Sequence, residues 1–220
     1  MQGLLNRLIV VPNGMEIEKY LKQLSKQERH SLRMSLGIED TTGLLVAVTI
    51  ISKEKNICEI ISFLPKLLEK QKDVKFLIVG DGPDRHHLEK MVEKLKLSDK
   101  VIFTGRIPAR EVWKYYAAGD VFVSASVFEV HSMSYLESLA SGLPLLCRED
   151  EALLGVLDSG INGYTYNSLE EFVDYACKLL NDDGCRKEMA NASLQKANGF
   201  SSNAFAKAML KVYEEAICSN

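Results

Sequence analysis

The sequence predicts a doubly wound α/β domain: a parallel sheet with helices on both faces, followed by a helical tail. Three observations carry that expectation. Short apolar runs of strand length alternate with longer stretches whose apolar residues recur at helical spacing. The runs are apolar throughout rather than every second residue, the pattern of strands covered on both sides. The composition, 220 residues with 46% hydrophobic and 26% charged, is that of an ordinary globular chain long enough to bury a core.

The elements follow in order along the chain. Leu8–Val11 is a short apolar run halted by Pro12-Asn13-Gly14, a turn signal. Met15 to Leu36 is polar and helix-prone and stops at Gly37. Leu44–Ile51 reads as a buried strand leading into a helix over Asn56–Gln71, in which Pro65 predicts a kink or an early end. A strand over Lys75–Val79 ends at Gly80-Asp81-Gly82-Pro83, after which Asp84 can cap a helix running to Leu97. Then come a strand at Val101–Phe103, a helix over Glu111–Ala118, a strand at Val121–Ala125 and a helix over Ser132–Ser141 stopped by Gly142. Strands at Leu145–Cys147 and Gly163–Tyr166 precede a tail of helices broken near Asp182-Asp183-Gly184 and Asn198-Gly199. No repeat or composition break marks a second complete domain, so one domain is expected over residues 1–220.

Composition also excludes function classes. The 27 basic and 30 acidic residues give a net charge of -3, which does not point to a nucleic-acid partner. No apolar run approaches the ~20 residues of a membrane span, and the start lacks the pattern of a signal peptide, so the expectation is a soluble cytoplasmic protein. The five cysteines show no CxxC spacing and the four histidines no HExxH pattern. Neither a metal nor a disulfide framework is expected.

In a doubly wound sheet, ligands bind beyond the carboxyl ends of the strands, so the residues just after each strand are the informative ones. They offer Lys55, then Gly80 and Gly82 for close backbone approach, then Arg106, and finally a carboxylate, Glu129, ahead of a helix start. The amides of Ser132, Met133 and Ser134 at that helix start suit an anionic phosphate. Glu129 and Glu137 could bracket such a ligand and accept hydrogen bonds from sugar hydroxyls. Each feature has a plainer reading as a solvated lysine, a simple turn or a chance pair of acids. Gly80-Asp81-Gly82 is not GxGxxG, and a nicotinamide site is the least favoured alternative.

The stretch from Glu129 to Glu137-Ser-Leu-Ala-Ser-Gly-Leu-Pro resembles the signature of retaining GT-B glycosyltransferases of the "group 1" class. The resemblance extends through Val11-Pro12-Asn13-Gly14, Glu54-Lys55-Asn56, Leu77 to Pro83, Phe103-Thr104-Gly105, Gly119 to Val123 and Ile161 to Tyr166. Ser141-Gly142-Leu143-Pro144 and the Glu151, Gly155-Val156-Leu157 segment are more loosely similar to bacterial diacylglycerol glucosyltransferases.

That resemblance implies a Rossmann-like, C-terminal donor half of a GT-B fold and a metal-independent transfer from a nucleotide-sugar, of the UDP-glucose kind, with no cofactor. It implies that Glu129 binds hydroxyls of the donor sugar and Glu137 the ribose. It assigns the diphosphate to the amides around Ser132 to Ser134 and to Lys55, and the base to Arg106 and Ile107, with His131 beside the donor. It implies an N-terminal acceptor domain as partner, a crossing strand and turn over residues 1–14, a crossing helix over 200–220, and peripheral contact with the inner face of a membrane through the other half. The 220-residue chain would then be inactive alone, either as a truncated piece or as a natural half whose partner is a separate chain.

Two departures from the family pattern stand out. Ile50 occupies a position where the family usually carries an arginine, and we expect it to be buried there. Ser132 stands where a glycine is usual. The alternatives kept open are a non-catalytic module that binds a nucleotide-sugar or a partner protein, and half of a sugar-nucleotide epimerase.

Overall fold

The computed structural model describes residues 9–129 and 132–218. Six parallel strands form one sheet: β1 (Gly43–Val48), β2 (Val74–Val79), β3 (Val101–Phe103), β4 (Val121–Ser124), β5 (Leu145–Arg148) and β6 (Gly163–Tyr166). Their order across the sheet is β3-β2-β1-β4-β5-β6. The chain winds outward from β1 to β3, then returns to β4 on the other side of β1, so the order reverses between β1 and β4. A crevice opens at such a reversal, and ligands use it.

The helices are α1 (Lys26–Ser35), α2 (Ile57–Lys70), α3 (Arg85–Lys94), α4 (Val112–Ala118), α5 (Met133–Ala140), α6 (Leu169–Asn181), α7 (Asp183–Ala197) and α8 (Ser202–Cys218). Successive strand residues point to opposite faces, and the core divides accordingly. Leu45, Ala47, Phe76, Ile78, Val121 and Val123 meet Ile60, Leu64 and Leu67 of α2, Leu88 of α3 and Phe172 of α6 on one face. On the other, Phe122 and Leu145 meet Tyr116 of α4 and Tyr135 and Leu139 of α5, while Leu44, Val46 and Leu77 close over Ile38.

Local chemistry explains the boundaries. The hydroxyl of Ser25 accepts from the Glu28 amide while Glu28 accepts from the Ser25 amide, a reciprocal cap that starts α1 well inside the polar stretch. Gly37, at φ +68°, ends it. Arg33 of α1 is fully buried and donates to the carbonyls of Thr42 and Ala118 and to Asp120, whose carboxylate also accepts from the Leu44 amide and from Arg29. This cluster fixes α1 and α4 against the start of β1.

Three details differ from the sequence reading. Helix α2 runs past Pro65 to Lys70 and so does not end early there: Pro65 lies on the exposed side, while Leu64 and Leu67 anchor the buried face. Asp84 holds the position before α3 without a side-chain capping bond, and α3 stops at Lys94. The turn after it uses Lys96 at φ +57°, with the Leu97 amide returning to the Val92 carbonyl. Residues 9–14, expected as a crossing strand and turn together with 1–8, form no strand; residues 1–8 lie outside the described ones.

The segment that follows is held by the tail instead. Met15 donates to the carbonyl of Phe200 and accepts from the amide of Ser202, and Gly14 lies so close to Phe205 that an added Cβ would sit 2.6 Å from its Cβ. Beyond that contact α8 leaves Leu210, Tyr213 and Ile217 exposed rather than packed on the sheet. No helix among the described residues is long and apolar enough to cross a membrane.

Candidate functional site

The site lies where β1, β2 and β4 end and α5 begins. Beyond the strands, the Thr49 amide donates to the Val79 carbonyl and the Ile51 amide to the Asp81 carbonyl, so the two chain segments continue side by side. The approach is too tight for any side chain. A Cβ on Gly80 would fall 1.9 Å from the Thr49 carbonyl oxygen, and one on Gly82 would fall 2.2 Å from that of Ile51. The two glycines therefore bring one strand end against its neighbour, the close backbone approach expected of them, and they also line the cavities beside it. Gly80 also takes φ +138°, which favours glycine.

The loop after β4 is tied to the turn after β1. The Val127 amide and the Ser126 hydroxyl both donate to the Glu54 carbonyl. This places Lys55 against Glu129, with Nζ 2.5 Å from Oε1 and both side chains largely buried. They line a space of about 10 Å³, room for a single water-sized group, together with Thr49, Ser124 and Ser134.

A larger cavity of about 250 Å³ adjoins it. Gly80, Asp81, Arg106, Ile107, Ser134 and Glu137 are among its walls, and Val48, Thr49 and Ser134 are shared with the smaller space. Arg106 also reaches an open cleft lined by Ile50, Asp81, Gly82 and Pro83. It is exposed and carries no ion pair among the described residues. Ile50 is 67% exposed, not buried as expected: β1 ends at Val48, and the backbone beyond it turns this side chain into the cleft.

Helix α5 starts at Ser132 with no side-chain capping bond, and the Ser132 hydroxyl instead lies 3.0 Å from that of Ser134. The first amides of α5, those of Met133 and Ser134, thus lack a side-chain acceptor and sit beside the cavities. His131 and Val130 lie outside the described residues. The fold therefore brings together Lys55, Glu129, Ser134, Glu137, Arg106, Ile107 and Gly80 at one end of the sheet, with Gly82 in the adjoining cleft. Ser132 and Met133 form the helix start and are not walls of these cavities.

Sequence reasoning missed the two closest partners of Glu137. Tyr20 donates to its Oε1 at 2.6 Å and Tyr116 to its Oε2 at 2.8 Å. Burial first, and then the neighbouring carboxylate, push both phenols above their ordinary range, so both remain donors at neutral pH. Nothing local in the sequence marks Tyr20, which is a lone aromatic in a polar stretch. Tyr116 stands out only as the core-facing aromatic of α4.

A family model described as "Glycosyl transferases group 1" matches residues 28–196. Among curated proteins, alpha-monoglucosyldiacylglycerol synthase of Streptococcus pneumoniae is 34% identical over 96% of this chain and 48% of its own length. The protein of the same name from Acholeplasma laidlawii is 26% identical over 96% of this chain and 53% of its own. The chain thus spans about half the length of these relatives. Among solved structures, Anabaena Alr3699/HepE in complex with UDP superposes with a TM-score of 0.84 at 19% identity, covering 94% of this chain and 57% of that one. The same protein has also been solved with UDP-glucose.

Proposed function

The chain belongs to the group 1 glycosyl transferases, and on that premise we propose that it is the donor-binding half of a retaining hexosyltransferase that uses a UDP-sugar. The observation that carries the reading is the pair of adjoining cavities at the carboxyl end of the sheet. One is walled by Arg106 and Glu137, the other by Lys55 and Glu129, and the uncapped start of α5 lies between them.

In this reading the larger cavity takes the nucleoside. Glu137 accepts from the ribose hydroxyls, and Arg106 with Ile107 faces the base. The diphosphate lies over the amides of Met133 and Ser134, near Ser132, where the partial positive charge of the helix start favours an anion. Lys55 supplies a full charge to the phosphate that leaves as the glycosidic bond breaks. Stabilising that developing charge lowers the barrier without a covalent step by the protein. Glu129 then orients hydroxyls of the sugar, which is transferred with its anomeric configuration kept.

The acceptor belongs to residues outside this half, reached across residues 9–14 and helix α8. The names of the two half-matched relatives favour a glucosyl donor and a diacylglycerol-type acceptor; such an acceptor is a lipid, and in this reading transfer to it takes place at the inner face of a membrane. A second reading, a binding module without catalysis, is favoured by Ile50, which leaves the cleft one cation short of the family pattern.

The test is a thermal-shift and calorimetric titration of the 220-residue chain with UDP and UDP-glucose. Binding of both, strongly weakened by Glu137→Ala and less so by Arg106→Ala, is the expected result; no response to either nucleotide overturns the reading. Joined to the part of the S. pneumoniae relative that it does not match, the chain should transfer glucose to diacylglycerol acceptors. Donor binding without transfer in that hybrid supports the second reading.

A further inference from the structure

Glu137 is held from behind. Its two carboxylate oxygens each receive one phenol, from residues that lie 117 and 21 positions away in sequence. Tyr116 is fully buried in α4 against Phe122, and its ring meets that of Tyr20 edge-on at 5.9 Å. Tyr20 follows a single helical turn, Ile17–Lys19, and its amide returns to the Ile17 carbonyl. Ile17 is buried in the core, and Met15 just before it is stitched to the tail at Phe200 and Ser202. Both hydroxyls are therefore delivered by rigid supports.

We propose that Tyr20 and Tyr116 are positioning residues for Glu137, fixing the plane of its carboxylate so that one free lone pair on each oxygen faces the cavity as a matched acceptor for the vicinal hydroxyls of ribose. This rests on the donor-binding reading given above. An ionised carboxylate has about four acceptor positions, and the phenols occupy one on each oxygen. A glutamate otherwise loses much rotamer freedom when it binds a ligand, and a carboxylate already fixed in place has less to lose. The donors are also neutral. A lysine or arginine in their place would add a positive charge beside the carboxylate, whereas phenols add none and leave it the better acceptor for a diol.

The test compares UDP with 2′-deoxy-UDP, by calorimetry, on the 220-residue chain and its Tyr20→Phe and Tyr116→Phe variants, with thermal unfolding run on each. The wild-type chain should prefer UDP. Tyr20→Phe should weaken UDP by about 10-fold, the cost of one hydrogen bond to a charged group, while changing 2′-deoxy-UDP by less than about 3-fold, so the preference narrows. Tyr116→Phe should do the same, and if that buried variant does not fold, Tyr20→Phe decides alone. An unchanged preference, or an equal loss for both nucleotides, overturns the proposal, since a merely structural role would weaken them together. A wild-type chain that binds UDP without preferring it also overturns the positioning role while UDP binding stands. A wild-type chain that binds neither removes the donor-binding reading as well.

Discussion

Glu129 and Glu137 are eight residues apart in sequence and flank the same helix start, yet their surroundings have little in common. Glu129 is closed against the Lys55 ammonium in a space hardly larger than a water molecule. Glu137 looks into about 250 Å³ with two phenols behind it. A carboxylate paired with a cation is already satisfied, and a ligand must compete with its partner. A carboxylate backed by neutral donors keeps its charge and awaits one. In the proposed reading, the nucleotide side would be formed in advance, while the sugar side would open only when a phosphate draws Lys55 away from Glu129 or shares it.

Four experiments break or sharpen that contrast. The largest effect is expected from Gly80→Ala, which forces a methyl into a wall of the larger cavity. Its methyl would collide with the Thr49 carbonyl in a backbone conformation that alanine avoids, at a cost of about 3–5 kcal/mol read from urea unfolding. An unchanged midpoint would mean that the Thr49–Ile51 segment yields easily and that this side is not rigid.

Next is the direct comparison of the two acids. Glu137→Ala should weaken UDP on the order of 100-fold, because it removes a charged acceptor and strands two phenols. Glu129→Ala should leave UDP within about 3-fold and act on UDP-glucose instead. Equal effects of the two on UDP would erase the division into nucleotide and sugar sides.

Lys55→Met should destabilise the fold by about 2 kcal/mol by leaving a largely buried carboxylate unpaired, and the double variant with Glu129→Gln should recover most of it. The smallest effect is that of Ile50→Arg. The side chain already stands exposed in the cleft beside Arg106, so a guanidinium fits without repacking and should tighten UDP by about 5-fold, more at low salt. No gain would mean that the diphosphate lies away from this wall.

Much of the fold was legible because the strands are bounded by residues that end them for local reasons. Val101–Phe103 and Gly163–Tyr166 were placed residue for residue, and Gly37 does end the first helix. The motif residues also gather where the topology requires, beside the reversal between β1 and β4. The misses turn on local backbone geometry and on contacts that the residue pattern does not carry. Asp84 has the right residue type at the right place, but its side chain makes no capping bond, and pattern alone cannot foresee that. Ile50 was read as buried because it continues an apolar run, yet the strand stops two residues earlier. The glycines after β2 announce a close backbone approach in one dimension, and only the fold shows that the strand end they approach is that of β1. Tyr20 reaches Glu137 across four of the six strands in sequence, so no spacing rule could join them.

The stitching of Met15 to Phe200 and Ser202 has a mechanical consequence. Helix α8, the stretch that carries Tyr20, and the carboxylate of Glu137 are linked in series, by two backbone hydrogen bonds at Met15 and by the Tyr20 phenol at Glu137, like a latch pinned at each end. A load applied to the exposed far end of α8 would be transmitted to the pocket before it reached the sheet. The backbone amides of Met15 and Ser202 are therefore natural reporters: their exchange with deuterium should slow when the pocket fills, although neither lines it.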